Sequence, residues 1–332
     1  MTKTIDIYAI GSALVDTEIR VTPEFLAANG IDKGVMTLVD EQRQDELVSA
    51  LIKHHSHIDR ACGGSACNSA VAAAEFGASV AFSGRVADDD DGALFAADLQ
   101  DAGIRFHDVR ANGDITGKCL VMVTPDADRT MNTFLGASVN HSLAEVDFEA
   151  LAASNWLYLE GYLLTDQPRT DMVLEVVKFA RDNGVKVALS LSDPFVVAVF
   201  EAAIRQVIGA GVDLIFCNAD EALAFTKCES LEEAADALLH HCSAFAITDG
   251  ANGALVGDLN GKEHVAGFPA NAVDTNGAGD MFAGAFMSVL VTSGDKRAAA
   301  EFGNRCAAQV VGKYGPRLSK AALQSLALQK PA

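Results

Sequence analysis

Short apolar runs alternate with helical patterns along most of this 332-residue chain. Such alternation is typical of βαβ units, which build a parallel sheet and cover both of its faces with helices. The apolar runs predict buried strands at residues 5–10, 80–86, 156–159, 185–191, 214–217 and 244–248. Helices are predicted at residues 67–75, 91–101, 169–182, 194–208, 221–227, 231–240, 278–292, 296–313 and 320–328. We therefore expect an α/β protein built around a parallel sheet.

Two regions interrupt this alternation. Residues 16–21 with 34–39, and 118–124 with 129–135, have the composition of strands without intervening helices, and Pro-Asp-Ala-Asp at 125–128 predicts a hairpin turn. The four strands are expected to form a small sheet that covers a site, contributed by about residues 16–39 and 117–136. No repeat or Pro/Ser-rich linker divides the chain, so residues 1–332 are expected to form one domain that carries this insertion.

Composition and charge exclude several classes of function. A formal net charge of −20 and a pI near 4.6 argue against nucleic acid or an anionic membrane as the main partner. The seven cysteines contain no Cys-X-X-Cys pair, which favours reduced thiols in a cytoplasmic protein. The N-terminus lacks the apolar segment of a signal peptide, and the longest apolar run, near residues 195–204, is interrupted by Glu201. We therefore expect small-molecule partners, no nucleic acid and no membrane.

The segment at 273–280, Val-Asp-Thr-Asn-Gly-Ala-Gly-Asp, leads directly into a predicted helix. A helix N-terminus attracts anions because its first amides lack acceptors and the positive end of the helix dipole lies there. A carboxylate at the same place makes sense if Asp280 takes a proton from a hydroxyl while the amides of residues 277–279 hold the phosphoryl group that this hydroxyl attacks. The segment thus indicates a kinase acting on a small alcohol. The alternative, a tight turn followed by a helix-capping Asp, has about equal weight from these residues alone.

Polar and glycine residues near the first strands are candidates for substrate binding. Asp16 follows the first predicted strand, where open α/β sheets bind ligands, and its carboxylate can accept hydrogen bonds from vicinal hydroxyls. Gly63 and Gly64 allow a ligand to approach closely, and Asn68 offers both a donor and an acceptor. A turn or surface role for Asp16, and a packing role for the small residues around Asn68, stay open as alternatives.

Two further segments follow predicted strands. Asn218 and Glu221 are three residues apart, so they either organise a hydrated cation and its phosphates or form an N-cap with its capping-box partner. Thr248, Gly250 and Gly253 form a Gly-rich turn that fits a hairpin, a loop beneath nucleotide phosphates, or both. The chain contains neither a P-loop nor a Gly-X-Gly-X-X-Gly segment, which disfavours the corresponding nucleotide-binding folds.

Taken in this order, these segments resemble the ribokinase-like (PfkB) family of carbohydrate and nucleoside kinases. The resemblance covers essentially the whole chain, and its most specific motif is Asp-Thr-X-Gly-Ala-Gly-Asp at 274–280. It implies a doubly wound α/β domain of roughly nine strands with a small β-sheet lid. It also implies that Asp280 is the general base and that the amides of Gly277, Ala278 and Gly279 form the anion hole. By the same resemblance, Asn218 and Glu221 place magnesium and phosphates, with Glu221 acting through water.

Within the family, the chain most resembles the adenosine kinase branch. Asn276 matches the usual form of that branch's motif, and Phe195 resembles the aromatic residue that stacks on the nucleobase. Leu38 and Tyr162 resemble the apolar walls around adenine. Arg129 matches an arginine that faces the transferred phosphate.

The resemblance extends to individual contacts. It implies substrate contacts from Ser12, Asp16, Leu38, Gly63, Gly64, Ser65, Asn68, Leu135, Tyr162 and Phe195. It implies ATP contacts from Asn218, Glu221, Thr248, Gly250, Gly253, Asn276 and Asn304. Ser12 departs from the branch, which commonly has Asn there, so this contact is expected to be weaker or mediated by water. The monovalent-cation loop of the family matches only in part.

The sequence therefore predicts a cytoplasmic enzyme of purine salvage that uses ATP and Mg²⁺, and a monovalent cation such as K⁺ is also compatible. Its reaction would be phosphorylation of the primary 5′-hydroxyl of a nucleoside, with adenosine, converted to AMP, as the favoured substrate. A sugar kinase of the ribokinase or fructokinase type is the alternative within the family. A nucleoside- or sugar-binding protein without catalysis is the alternative of another class. The chain is expected to be a monomer or a homodimer.

Overall fold

The computed structural model describes residues 2–52, 59–126 and 128–331. The strands in these ranges are β1 Ile5–Ile10, β2 Leu14–Arg20, β3 Met36–Leu38, β4 Asp59–Gly63, β5 Val80–Ser83, β6 Val86–Ala87, β7 Arg105–Phe106, β8 Arg110–Ala111, β9 Gly117–Val123, β10 Arg129–Phe134, β11 Ser154–Glu160, β12 Lys186–Ser190, β13 Leu214–Asn218, β14 Ala244–Thr248, β15 Gly253–Asp258 and β16 Gly261–Ala266. The helices are α1 Pro23–Ala28, α2 Glu41–Ile52, α3 Ser65–Glu75, α4 Asp90–Asp101, α5 Phe148–Ala152, α6 Gln167–Asp182, α7 Pro194–Gly211, α8 Ala219–Thr226, α9 Leu231–Leu238, α10 Ala278–Ser293, α11 Lys296–Val310 and α12 Lys320–Ala327.

A nine-stranded sheet forms the centre of the molecule, in the order β16-β15-β14-β13-β12-β11-β1-β5-β7. Neighbouring strands from β7 to β14 pair in parallel, whereas β14, β15 and β16 pair antiparallel. The strand order reverses between β1 and β11, and the chain runs outward from there in both directions. The predicted fold class, a doubly wound and mostly parallel sheet flanked by helices, is confirmed.

Helices cover both faces of the central sheet, which explains why its strands are continuously apolar. On one face, α3, α10 and α11 enclose a core that includes Phe286 and Phe302. On the other face, helices α6 to α9 enclose a core that includes Val176 and Phe225. The sheet is therefore held rigidly, and its strand ends are fixed positions for functional side chains.

The carboxyl ends of the central strands bring polar residues to one edge of the sheet. Ser12 follows β1, Glu160 ends β11, Ser190 ends β12, Asn218 ends β13 and Thr248 ends β14. This edge includes the point where the strand order reverses, which is where open α/β sheets bind their ligands.

A second sheet of five strands, in the order β3-β10-β9-β2-β4, covers this edge. We call these strands together with α1 and α2 the lid. One face of the lid sheet packs against the two helices through residues such as Leu26 and Leu47. Its other face directs Leu14 and Val121 toward a cavity beneath it. All four strands predicted for the small sheet lie in it.

The lid also contains a helix and a strand that the sequence did not predict. The expectation of no helix between the strands at 16–21 and 34–39 is wrong, because α1 lies between them. Thr22 accepts a hydrogen bond from the Phe25 amide and Pro23 occupies the first turn, so a recognisable start signal was present. Strand β4 forms the fifth strand of the sheet, beside β2. Ala127, within the predicted hairpin turn, lies outside the described residues.

Helix α7 departs from the expectation that no segment has the character of a membrane span. Within the ranges that the structure describes, it is the one helix of sufficient length and apolarity, with a mean hydropathy of 1.4 over 18 residues. Val197, Ile204 and Ile208 on this helix are buried in the core on one face of the central sheet. Its apolar composition thus serves, at least on that side, to pack against the sheet.

Candidate active site

A cavity of about 510 Å³ lies between the carboxyl edge of the central sheet and the lid. Nearly all of the residues predicted to bind substrate or ATP line it, including Asp16, Asn68, Glu221 and Asp280. The two exceptions are Gly63 and Phe195. Groups predicted from segments more than two hundred residues apart therefore meet in a single cavity.

Gly277 begins the helix that carries Asp280. Its φ of 72° lies in the left-handed region, and a Cβ there would come within 2.5 Å of Pro316, so only glycine fits without strain. Gly279, by contrast, has open space beside its Cα and lines the cavity. The first turn of α10 thus presents its backbone to the cavity, although the Ala278 amide also donates to the Thr275 carbonyl at 3.3 Å. This geometry suits the binding of an anion at the helix N-terminus.

The Asp280 carboxylate is held by two side chains of helix α3. Ser65 Oγ donates to Asp280 Oδ1 at 2.6 Å, and Asn68 Nδ2 donates to Asp280 Oδ2 at 3.0 Å. Burial raises the pKa of Asp280, while the hydrogen bonds from Ser65 and Asn68 act in the opposite direction. The position and raised basicity of the carboxylate fit a group that accepts a proton from a bound hydroxyl.

Asp16 lies on the lid strand β2, buried at the edge of the cavity. Burial raises its pKa to about 7, the carboxylates of Asp280 and Glu18 add to the effect, and Arg317 opposes it. A Cβ on Gly63 would overlap the Asp16 carboxylate, which explains why residue 63 is a glycine that does not itself line the cavity. Asp16 is therefore a desolvated acceptor that a hydroxylated ligand can satisfy.

Arg129 connects the lid to the loop that precedes α10. Its Nη1 atom donates to the Thr275 carbonyl at 3.1 Å and lies 3.4 Å from the Asn276 Oδ1 acceptor. The Asn276 amide in turn donates to Asp274 Oδ1 at 2.8 Å, which fixes the loop. The guanidinium thus lies beside the N-terminus of α10 and would neutralise charge on a phosphoryl group held there.

Asn218 and Glu221 form the capping box of α8. Asn218 Oδ1 accepts from the Glu221 amide at 2.8 Å, and the two Glu221 oxygens accept from Asn218 Nδ2 at 2.7 Å and from the Asn218 amide at 3.1 Å. Burial raises the pKa of Glu221 to about 7. Both residues also line the cavity, so the capping and ligand-binding interpretations are compatible. Because both carboxylate oxygens are engaged, Glu221 fits an outer-shell role toward Mg²⁺, which retains water and binds chiefly to substrate phosphates.

The Gly-rich turn after β14 is a hairpin that also contributes to the cavity wall. Strands β14 and β15 pair antiparallel across it, and Thr248, Gly250 and Gly253 line the cavity. Asn304 lines the same end, and its Nδ2 atom donates to the Val265 carbonyl at 2.9 Å. This end therefore combines backbone groups with a side chain that is locked in place.

Apolar residues of the lid line part of the cavity and form its apolar wall. Leu38 and Leu135 contribute to it, together with Met36, Val121 and Met131. Tyr162 lines the floor nearby, with its hydroxyl 3.5 Å from the Ser192 carbonyl.

The structure does not place Phe195 where the resemblance implied. Its side chain is 45% exposed and packs edge-on against Phe200, with 6.4 Å between ring centroids. The preceding residues Asp193 and Pro194 line the cavity in its place. Phe195 follows Pro194 in the first turn of α7, and there its side chain meets the aromatic ring on its own helix.

Sequence reasoning missed two charged residues of the site. Glu160 is buried at the end of β11, where it accepts from the Ser12 amide at 2.8 Å and from the Ala66 amide at 2.7 Å. Its place at the carboxyl end of a central strand was a usable signal. Arg317 contacts Asn68 from the far end of the chain, and no local pattern indicated it.

Comparison with known proteins gives a consistent result. The model of the pfkB family of carbohydrate kinases matches residues 34–322. Among curated proteins, the chain is 28% identical to the adenosine kinase of Saccharomyces cerevisiae, over 94% of this chain and 96% of the yeast protein.

Two solved structures resemble this one over nearly their full length. The crystal structure of adenosine kinase from Sinorhizobium meliloti superposes with a TM-score of 0.90 at 33% identity, covering 97% of this chain and 99% of that chain. A probable sugar kinase from Rhizobium etli CFN 42 gives a TM-score of 0.92 at 30% identity, with 99% of each chain covered. The relatives thus include both a nucleoside kinase and a protein described as a sugar kinase.

Proposed function

The chain belongs to the pfkB family of carbohydrate kinases, and we propose that it transfers the terminal phosphoryl group of ATP to the 5′-hydroxyl of a nucleoside, with adenosine as the preferred substrate. The observation that carries this proposal is the position of Asp280. Its carboxylate is oriented by Ser65 and Asn68 inside a cavity where the N-terminus of α10 is also exposed. A base and an anion-binding helix terminus at one point are what phosphoryl transfer to an alcohol requires.

The hydroxyl to be phosphorylated would approach Asp280, which would take its proton as the bond to phosphorus forms. The amides at residues 277–279 and the Arg129 guanidinium would stabilise charge on the transferred group. Such preorganised donors are effective because they need no rearrangement during the reaction. Asp16 would accept hydrogen bonds from the ribose hydroxyls and so hold the sugar in register with the base.

ATP would occupy the end of the cavity that Thr248, Gly250 and Asn304 line. Kinases of this family use ATP and usually Mg²⁺, which neutralises phosphate charge when bound. Asn218 and Glu221 would hold this ion through water, since both Glu221 oxygens already accept hydrogen bonds. The proton of the acceptor hydroxyl would pass to Asp280, a side chain of the protein itself.

The apolar wall beneath the lid favours a nucleoside over a bare sugar. Leu38, Met131 and Leu135 would cover the flat face of a nucleobase, whereas a free pentose or hexose presents hydroxyls that gain nothing from such a surface. The relation to a probable sugar kinase makes a sugar substrate the second candidate. A binding protein without catalysis is disfavoured, because Asp280, the glycine turn and Arg129 are all present.

A panel of acceptors tests this proposal. ADP release by the purified protein with ATP and Mg²⁺ is followed for adenosine, inosine, guanosine, ribose and fructose, with and without K⁺. We expect the highest kcat/KM with adenosine, and AMP as the product by chromatography. Higher kcat/KM with ribose or fructose would assign the protein to the sugar kinases. No ADP release with any acceptor, from protein that binds adenosine, would favour the non-catalytic alternative.

A further inference from the structure

The segment between α11 and α12 contacts two parts of the cavity wall. We call residues 313–317 of this segment, Lys-Tyr-Gly-Pro-Arg, the C-terminal loop. Pro316 packs against Gly277, and the Gly315 amide donates to Asp274 Oδ2 at 3.0 Å, so the loop supports the turn that begins α10. Arg317 extends from the same loop to helix α3.

The Arg317 guanidinium is held on three sides. Its Nε atom donates to Asn68 Oδ1 at 2.8 Å, its Nη2 atom donates to Cys67 Sγ at 3.2 Å, and its Nη1 atom pairs with the Asp98 carboxylate on α4. The side chain is only 17% exposed. A planar guanidinium with donors engaged in three directions has little freedom to rotate.

This arrangement determines the orientation of the Asn68 amide. Arginine has donors and no acceptor, so the atom of Asn68 that faces Arg317 must be the oxygen. The amide nitrogen is then directed toward Asp280 Oδ2, at 3.0 Å. If the amide were reversed, its oxygen would face a carboxylate oxygen and lose both hydrogen bonds. Arg317 therefore determines whether Asn68 presents its Nδ2 donor or its Oδ1 acceptor to the Asp280 carboxylate.

Arg317 also affects the carboxylates through its charge. Burial raises the pKa of Asp280 and raises the pKa of Asp16 to about 7, and Arg317 lowers both. The charged and titratable groups that face Asp280 come from several elements, namely Asp16 on β2, Arg129 on β10, Tyr158 and Glu160 on β11, Tyr162 after β11, and Arg317. Arg317 and Arg129 are the two cations in this set.

We propose that Arg317 is a positioning residue of the phosphoryl-transfer reaction, which orients the Asn68 amide so that this amide holds Asp280 in place as the base. The proposal rests on the function proposed above. Arg317 does not line the cavity, so it acts on the reaction through Asn68 and through its charge.

The first test combines kinetics with a pH profile. Arg317→Met retains much of the side-chain volume and removes the donors and the charge. We expect kcat to fall about tenfold or more, as part of the ~10²–10⁴-fold that a positioned base supplies, with the KM for ATP nearly unchanged. The acidic limb of the kcat profile should move to higher pH, because loss of the cation raises the pKa of Asp280 and keeps the base protonated over a wider range. Arg85→Met is the matched control, since Arg85 is also partly buried and paired with Glu145 but does not line the cavity.

The second test separates a positioning role from a structural one. Arg317→Lys keeps the charge but cannot reach Asn68, Cys67 and Asp98 together, so kcat should fall while the acidic limb stays in place. Asn68→Ala combined with Arg317→Met should cost less than the product of the two single effects, because both act on one hydrogen bond. Loss of activity that is uniform across pH and multiplicative in the double variant would overturn the proposal.

A third measurement does not depend on activity or on the identity of the substrate. The Asp280 side-chain carboxyl carbon is followed by NMR in protein labelled with ¹³C-aspartate, with Asp280→Asn used for assignment. Its titration midpoint should rise in Arg317→Met and stay near wild type in Arg317→Lys and Arg85→Met. An unchanged midpoint in Arg317→Met would refute the electrostatic part of the proposal, even if no acceptor in the panel were phosphorylated. If Arg317→Met does not fold, the kcat and midpoint of Arg317→Lys still decide the outcome.

Discussion

The central sheet and the lid differ in how much of their surface the rest of the chain covers. The central sheet has helices on both faces, so its strand ends are fixed by two cores. The lid sheet has helices on one face, and its other face turns toward the cavity. Asp280 lies in the first turn of α10, one of the helices that cover the central sheet, whereas Asp16 and Arg129 belong to the lid. With the proposed function, this difference predicts a division of tasks, in which the covered part holds the base and the anion-binding helix terminus, while the lid holds the acceptor through Asp16 and places Arg129 beside the transferred group.

The largest expected effect concerns the rigid part. Asp280→Asn should lower kcat by at least ~100-fold with little change in the KM for the acceptor or for ATP, because the variant loses the base and keeps the shape of the site. Steady-state kinetics with adenosine and ATP measures both constants. Ser293→Ala, at the other end of α10, is a control that leaves the cavity unchanged. If Asp280→Asn turned over near the wild-type rate, Asp280 would not be the base, and the proposed division of tasks between the central sheet and the lid would be wrong.

The second effect concerns the lid. Asp16→Ala should raise the KM for adenosine by roughly 10- to 100-fold, since hydrogen bonds to a charged group contribute about 1.5–3 kcal/mol. The affinity for ATP should change little, because ATP is assigned to the other end of the cavity. Isothermal calorimetry with each ligand separates the two effects. Equal losses for adenosine and ATP would show that Asp16 supports the site as a whole.

The third effect distinguishes Leu38, which lines the cavity, from Phe195, which does not. Leu38→Ala should raise the KM for adenosine about three- to tenfold, in keeping with the loss of roughly 1 kcal/mol of apolar contact, and should leave any slow turnover of ribose unchanged. Phe195→Ala is the matched control, and its effect should stay below about twofold because the ring lies outside the cavity lining. A stronger loss with Phe195→Ala than with Leu38→Ala would restore the stacking role that the sequence implied for Phe195.

The smallest expected effect is on stability. Replacing Asp16 should weaken the binding of adenosine but stabilise the fold. Burial raises the pKa of Asp16 to about 7 in the folded protein from its ordinary value of 3.8, so the folded state binds this proton more tightly than the unfolded state does. The contribution of Asp16 to wild-type stability should therefore fall as pH rises from about 4 to about 7, where the folded carboxyl ionises. Asp16→Asn removes this cost and should raise the melting temperature by a few degrees at pH 8, and by less at pH 5. An equal difference at both pH values would contradict the assignment of the shift to Asp16.

Much of the site could be predicted from short sequence segments. Asp280 and the glycines before it are neighbours in sequence, and the helix they begin follows from the apolar spacing of residues 281–290. Asn218 and Glu221 were assigned either to a capping box or to ligand binding, and the structure shows the first and is compatible with the second. The helix start and the capping box could be predicted because the relevant interactions span only a few residues.

Other parts of the site could not be predicted in this way. Helix α1 has only six residues, too few for an apolar period to stand out, and β4 was overlooked because its pairing partner β2 lies far away in sequence. Phe195 was assigned to the cavity from the resemblance of its segment to the adenosine kinase branch, whereas in the structure its ring packs against Phe200 on α7. In these places the local pattern is short, and tertiary contacts determine the conformation.

The sequence by itself determined the alternation of strands and helices that builds the central sheet, the family, and the residue types that meet at the N-terminus of α10. These follow from periodicity and from motifs, whose physical causes act between near neighbours. Only the tertiary structure decided which carboxylate receives which donor. Arg317 and Asn68 are separated by 249 positions, and Ser65 and Asp280 by 215, yet each pair forms a hydrogen bond. Such contacts depend on how two cores bring distant segments together, and no local sequence pattern encodes that distance.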